Sequence, residues 1–120
     1  MSDHLHDDTL LQSLIKENST VLNDIRNRAG KLPRTAVVEF GCEMPDKSSA
    51  LAARQELITQ LPNLEDDAQI YTMSTDGEIE CRIDTEMEIS AKAISMIEIV
   101  IQVICQEHGG GEVFWGFERE

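Results

Sequence analysis

Two segments of the chain alternate between apolar residues and residues that are largely polar in the first segment and charged in the second. In the first, Thr35–Met44, the apolar positions are Ala36, Val38, Phe40, Cys42 and Met44. In the second, Glu78–Asp84, they are Ile79, Cys81 and Ile83. Because successive side chains of a strand point to opposite faces of a sheet, each segment predicts a strand with one buried and one solvated face. The solvated face is largely polar in the first strand, where it includes Glu39 and Glu43, and acidic in the second.

Helical spacing of apolar residues predicts three helices. We expect an N-terminal helix over residues 9–30, after a flexible segment at residues 1–8, and a second helix over Lys47–Leu61. The stretch Ser90–His108 is rich in isoleucine and valine, which favour strands. Its isoleucines nevertheless recur at helical spacing over a length that few strands reach, so we predict the third helix here.

The remaining segments complete a sheet. Gln69–Met73 and Glu112–Glu118 are short strand-like runs, and Asp76-Gly77 favours the positive φ angles of a tight hairpin turn. The resulting order, a helix followed by βαββαβ over residues 34–118, predicts an α+β fold of the ferredoxin-like or split βαβ type. It would contain a four-stranded antiparallel sheet, two crossover helices on one face and an added N-terminal helix, in a single domain of residues 1–120.

The charge balance restricts the partners. The chain carries 23 acidic and 10 basic side chains, which give a formal net charge of −13. Such a charge repels phosphate backbones and the anionic surface of a membrane, so we expect neither direct nucleic-acid binding nor membrane association. A macromolecular partner should be a basic protein segment.

Cysteine usage and the N-terminal sequence indicate a cytoplasmic location. Cys42, Cys81 and Cys105 are an odd number of cysteines without close pairing, and each lies at an apolar position of a predicted element. Buried thiols in a reducing compartment are therefore expected rather than disulfides. The N-terminus is polar and acidic, where a signal peptide would be basic and then apolar.

No catalytic centre, metal site or cofactor is predicted. His4-x-His6 lies among aspartates and could hold a metal ion, but a solvated chain end does not fix ligand geometry. The strand carboxylates alternate as a solvated face does, whereas an acid–base pair needs a pocket with two different environments. Gly109-Gly110-Gly111 follows a predicted helix, whereas a phosphate-binding loop follows a strand and opens a helix. We therefore expect a noncatalytic protein.

Three local motifs resemble a known family. They are Cys81 with the acidic stretch after it, Ala91-Lys92-x-Ile94, and Trp115-Gly116 followed by Phe117-Glu118. Together with their spacing they resemble the regulator of ribonuclease activity B family, and the likeness extends over nearly the whole chain. These small acidic proteins inhibit the endoribonuclease RNase E by binding its C-terminal region, which includes arginine-rich segments. The family's usual Tyr-Asp-Gly before the Trp-Gly pair is replaced here by Glu112-Val113-Phe114.

The resemblance and the charge together predict a regulator of mRNA turnover. It would inhibit RNase E through the basic C-terminal region of that enzyme, or dock onto another basic protein segment. Solvated carboxylates would steer the association, and Trp115 would be either a core residue or an aromatic anchor of the interface. The candidate steering residues are Glu39, Glu43, Glu78, Glu80, Asp84, Glu86 and Glu88.

Two other classes of function stay open. A small-ligand or metal-sensing domain could use the same ferredoxin-like fold, with the open sheet face pairing two subunits into a homodimer. A small hydrolase of the acylphosphatase kind would need a positively charged phosphate cradle, which the sequence does not offer. A bound metabolite or metal would support the sensing domain. Turnover of a substrate would support the hydrolase.

Overall fold

Three helices and a four-stranded antiparallel sheet make up the described part of the chain, which is therefore an α+β protein. The computed structural model describes residues 2–61 and 69–117, with side chains from residue 9 onward. In chain order the elements are α1 (Ser2–Ala29), β1 (Thr35–Met44), α2 (Lys47–Gln60), β2 (Gln69–Thr75), β3 (Glu78–Glu88), α3 (Ala91–Glu107) and β4 (Val113–Phe117).

The strands lie in the order β2-β3-β1-β4, and every neighbouring pair is antiparallel. The two long strands, β1 and β3, form the centre, where Phe40 lies opposite Ile83 and Cys42 opposite Cys81. Strands β2 and β3 form the expected hairpin. Asp76 and Gly77 have φ angles of 54° and 85°, the left-handed conformations that a two-residue turn of this kind requires.

Helices α2 and α3 begin at polar caps. The Asp46 carboxylate accepts a hydrogen bond from the Ser49 amide at 2.7 Å, and the Ser90 hydroxyl accepts one from the Ala93 amide at 3.1 Å. Each cap satisfies an amide that the first helical turn leaves without a backbone partner. The isoleucine-rich segment is therefore helical, as its spacing predicts, and Gly109 with φ 84° follows its end.

The core lies between one face of the sheet and helices α2 and α3. Its largest fully buried side chains are Phe40 and Ile83 from the sheet, Leu57 from α2, and Ile94 and Ile101 from α3. Burying such a side chain contributes about 1.5–3 kcal/mol. The helices thus cover a single face, and the opposite face of the sheet, called the open face below, carries the alternate residues of each strand.

Helix α1 is longer than the sequence pattern indicates, because it begins at Ser2 and not at residue 9. Residues 2–8, expected to be flexible, belong to this helix. None of the described helices combines the length and the apolar character that a membrane span needs.

Helix α3 lies between the other two helices. Both α1 and α2 pack against α3, but within the described residues they do not pack against each other. The outward surface of α3 is consequently bordered on two sides and left uncovered between them.

Candidate functional site

The pairing of β1 with β3 gathers all seven predicted carboxylates on the open face. These side chains come from odd-numbered positions of β1 and even-numbered positions of β3, which the antiparallel register brings to the same side. Glu39 lies directly opposite Asp84, and Glu43 directly opposite Glu80. Strand β3 continues past Asp84, so Glu86 and Glu88 join the same face. Like charges opposed across a strand pair destabilise a sheet, so this arrangement costs stability in the free protein.

Arg82 is the only basic residue within the four described strands. Its Nη2 lies 3.5 Å from Glu39 Oε1, and its Nη1 lies 3.3 Å from Glu80 Oε1. The guanidinium carbon lies 5.8 Å from the centre of the Phe114 ring, within the range of a cation–π contact. One guanidinium faces seven carboxylates, so the open face stays strongly negative.

Two buried polar atoms lack a hydrogen-bond partner among the described residues, namely Nε of the Arg82 guanidinium and Asp84 Oδ1. The other oxygen of Asp84 accepts a hydrogen bond from the Tyr71 hydroxyl at 3.0 Å. Burial and the Asp84 carboxylate raise the pKa of Tyr71, so the phenol stays a protonated donor. An unpaired buried acceptor costs free energy, so Asp84 Oδ1 lowers the stability of the free protein.

Apolar side chains interrupt the negative charge of the open face. The Phe114 ring lies over Gly41, where a Cβ atom would come within 2.5 Å of the ring. Position 41 must therefore be free of a side chain for the ring to lie flat against the strand. Phe114 is 46 % exposed, and Val37 and Met73 on the same face are also exposed. Together they offer apolar contacts close to the carboxylates.

Trp115 lies on the opposite, helix-covered face of the sheet. Its Nε1 donates a hydrogen bond to Asn18 Oδ1 at 2.9 Å, and its ring stacks on Phe117 with the centroids 6.3 Å apart. Asn18 in turn donates to Ser95 Oγ and Glu98 Oε1, both at 2.8 Å. Trp115 thus joins β4 to α1, and it does not share a face with the predicted steering residues.

Glu98 is a carboxyl buried in the contact between α1 and α3. Burial raises the pKa of Glu98, the hydrogen bond from Asn18 opposes this shift, and nearby Glu17 adds to it. A raised pKa in the folded state favours the protonated form there. Below the ordinary pKa of a glutamate the carboxyl is protonated in both the folded and the unfolded chain. The protonated carboxyl then makes its full contribution to the free energy of unfolding. As the pH rises through the raised pKa, that contribution is lost.

We expect Glu98→Gln to abolish this pH dependence. The glutamine oxygen still accepts from Asn18, but it carries no charge to desolvate. The melting temperature of the variant should match that of the unmodified protein near pH 4 and exceed it by a few degrees near pH 8. Thermal unfolding followed by circular dichroism across this range tests the expectation, and parallel pH profiles of the two proteins would contradict it.

The three cysteines are buried free thiols, as predicted. Cys42 and Cys81 face each other across β1 and β3, and hydrogen bonding to both, together with burial, raises the pKa of Cys105. Within the described part of the chain, no group of three or more His, Cys, Asp or Glu side chains is arranged to hold a metal ion. The His4-x-His6 motif lies outside the residues whose side chains are described.

The position of Phe114 over Gly41 was not predicted from the sequence. The signal was present, because alternation along β4 puts Phe114 and Trp115 on opposite faces of the sheet. The hydrogen bonds of Asn18 were not predicted either, because no pattern in the sequence indicates them.

Comparisons of the chain with protein-family models, curated proteins and solved structures found no significant match.

Proposed function

We propose that this chain is a noncatalytic protein-binding domain that docks a basic segment of another protein on the open face of its sheet. The target that the family resemblance indicates is the C-terminal region of RNase E, and the effect would be a lower rate of RNA cleavage by that enzyme. The proposal includes a cytoplasmic location, where such an enzyme meets its messenger RNA.

One observation carries the proposal: within the described strands, seven carboxylates share the open face with a single guanidinium. Two pairs of carboxylates lie directly opposite each other across β1 and β3. Their repulsion weakens the free protein and would be relieved by arginine or lysine side chains of a partner. An arrangement that is unfavourable alone and favourable in a complex is what a docking surface for cations requires.

The strand order supports the proposal as well. We assign the order β2-β3-β1-β4, with helices α2 and α3 as the crossovers, to the ferredoxin-like or split βαβ fold. In that fold the helices occupy one side of the sheet and leave the other side accessible. The acidic residues of this chain lie on the accessible side.

The chemistry of the open face suits a basic segment in two ways. Long-range attraction by the carboxylates would speed the encounter, and this contribution should fall as salt screens the charges. Contacts with Phe114, Val37 and Met73 would then slow dissociation, because buried apolar surface is not screened by salt.

RNA cleavage by purified RNase E, with and without its C-terminal region, tests the target. Titrating this protein at near-physiological salt should inhibit the full-length enzyme and leave the truncated enzyme unaffected. Inhibition of both forms would point to an effect on the catalytic region, contrary to the proposal. Neither inhibition nor binding would remove RNase E as the target and direct attention to the ligand- or metal-sensing alternative.

Charge neutralisation on the open face should weaken binding to the RNase E C-terminal region. We expect Glu86→Gln/Glu88→Gln to bind about fivefold more weakly, because each exposed ion pair contributes up to about 1 kcal/mol. Both residues are exposed on the open face. The matched control is Glu17→Gln/Asp24→Asn, which removes the same charge from the exposed side of α1. Calorimetric titration at two salt concentrations measures both variants, and equal losses would show that only net charge matters.

A further inference from the structure

The outward surface of α3 carries an apolar stripe that no other element among residues 9–61 and 69–117 covers. Met96, Ile99 and Val103 repeat at helical spacing along this side, and Met96 and Val103 are 52 % and 37 % exposed. The stripe from Met96 to Val103 spans about 10 Å, or roughly two helical turns. The opposite side of α3 is buried against the sheet. Helix α3 is therefore the most apolar of the three described helices, with apolar residues on its buried side and on its solvent-facing side.

Two residues of the stripe, Ile99 and Val103, belong to the floor of a groove that α3 forms, and Met96 lies beyond its lining. The volume of the groove is about 400 Å³, and its apolar lining includes Val100 and Val103 of α3 and Leu11 of α1. Helices α1 and α2 form the two walls, since each packs on α3 without packing on the other. A groove bordered by two helices, with a third as its floor, has the shape that accepts the side chains of a further helix.

The rim of the groove is negatively charged at one end. Glu56 of α2 and Glu107 of α3 both line it there. Glu107 is the last residue of α3, next to the negative end of the helix dipole, and neither α2 nor α3 has a lysine or arginine in its last turn. His108 lies beside Glu56, with its Nε2 at 3.1 Å from Glu56 Oε1. A cation at this end would therefore be stabilised by two carboxylates and a helix terminus.

The opposite end of the stripe lacks this negative charge. Lys92 precedes Met96 by one helical turn and lies roughly four turns from Glu107. An occupant should accordingly concentrate its positive charge at one end and present an apolar side to α3. An acidic helix would meet carboxylates at the rim, and an uncharged apolar molecule would leave them without a partner.

We propose that this groove binds a basic amphipathic helix of a partner protein, with its apolar side on α3 and its arginines or lysines beside Glu56 and Glu107. This surface lies on the helical side of the molecule, away from the open face, and does not depend on the function proposed there. The protein would then have two docking surfaces, one for a basic segment on the sheet and one for a helix on the helical layer.

The test uses a fluorescein-labelled peptide of about 14 residues, with leucines at helical spacing and arginines at one end. A control peptide has the same composition in an order that scatters the leucines around the helix. We expect the amphipathic peptide to bind at least tenfold more tightly than the control in fluorescence anisotropy. Its binding should shift the amide NMR signals of Leu11, Val100 and Ile104, and leave those of Glu39 and Glu86 in place.

Variants separate this groove from other surfaces. Val103→Asp should weaken binding of the amphipathic peptide about tenfold or more, since it places a charge in the apolar floor. Ile58→Asp is the matched control, because Ile58 is a similarly exposed apolar residue of α2 that does not line the groove. This variant should bind the peptide like the unmodified protein. Glu107→Lys should weaken the arginine peptide, and Glu86→Gln/Glu88→Gln on the open face should leave it unchanged.

Other occupants would appear as different outcomes, and each would overturn the proposal. Equal binding of the two peptides, or NMR shifts confined to the open face, would show attraction to charge alone. A dimer in sedimentation velocity that Val103→Asp dissociates would make a second copy of this chain the occupant. Binding of the apolar dye ANS that Val103→Asp abolishes, without binding of either peptide, would make the groove a small-molecule site.

Discussion

Replacing Asn18 with alanine is expected to lower the free energy of unfolding by about 3 kcal/mol. The buried amide accepts a hydrogen bond from Trp115 Nε1 and donates to Ser95 Oγ and Glu98 Oε1. Alanine would leave the indole N–H and the Glu98 carboxyl without this partner and would open a cavity between α1 and α3. The loss is large because one side chain joins α1 to both α3 and β4.

Urea unfolding followed by tryptophan fluorescence measures this effect directly. Trp115 is the only tryptophan, so its emission reports on the Asn18 contact. We expect a lower midpoint and a red-shifted native emission, because a loosened α1 would admit water to the indole. Asn23→Ala, at an exposed position of the same helix, should change the stability by no more than about 0.5 kcal/mol. Equal midpoints for the two variants would show that the Asn18 hydrogen bonds do not hold α1 in place.

Gly110→Ala is expected to destabilise the protein by about 2 kcal/mol, because the added Cβ has no space. It would lie 2.9 Å from the Cys105 carbonyl oxygen, 2.9 Å from Met44 Sδ and 3.0 Å from Cys42 Sγ. The carbonyl belongs to the last turn of α3 and accepts a hydrogen bond from the Gly110 amide at 2.7 Å. A backbone atom held in this way cannot move aside as a flexible side chain can.

Gly111→Ala is the matched control, one residue further along the same loop. No atom lies within 4 Å of a Cβ at this position. Its stability should equal that of the unmodified protein or rise slightly, because alanine restricts the unfolded chain. Thermal unfolding by circular dichroism should show a melting temperature about 8 °C below that of the unmodified protein for Gly110→Ala. Gly111→Ala should show no such decrease. A loop that tolerates both substitutions would mean that the approach to Cys105 is not tight in solution.

Local patterns were sufficient to predict most elements of the fold. Strand β1 occupies Thr35–Met44 as its alternation indicates, and α2 begins at Lys47 after its Asp46 cap. The hairpin turn at Asp76-Gly77 has the predicted positive φ angles. These features depend on neighbours within a few residues of the chain, so the sequence contains the necessary information.

Element ends that depend on distant partners were predicted less well. Alternation in the sequence predicts β3 only as far as Asp84. In the structure Thr35 pairs with Glu88, and the strand continues to that residue. Strand length in a sheet is set by the length of the neighbouring strand as well as by local preference. Because of that pairing, Glu86 and Glu88 lie on the open face with the other candidate carboxylates.

The sequence by itself determined which residues alternate, which helices form and that the surface of the molecule as a whole would be rich in carboxylates. Only the tertiary structure decided that Glu39 opposes Asp84, that Phe114 lies on Gly41 and that Asn18 joins Trp115 to Glu98. It also decided that α1 and α2 leave a groove over α3. The physical reason is the same in each case. Periodicity assigns a side chain to a face of its own element, but its neighbours on that face come from distant parts of the chain and depend on how the elements pack.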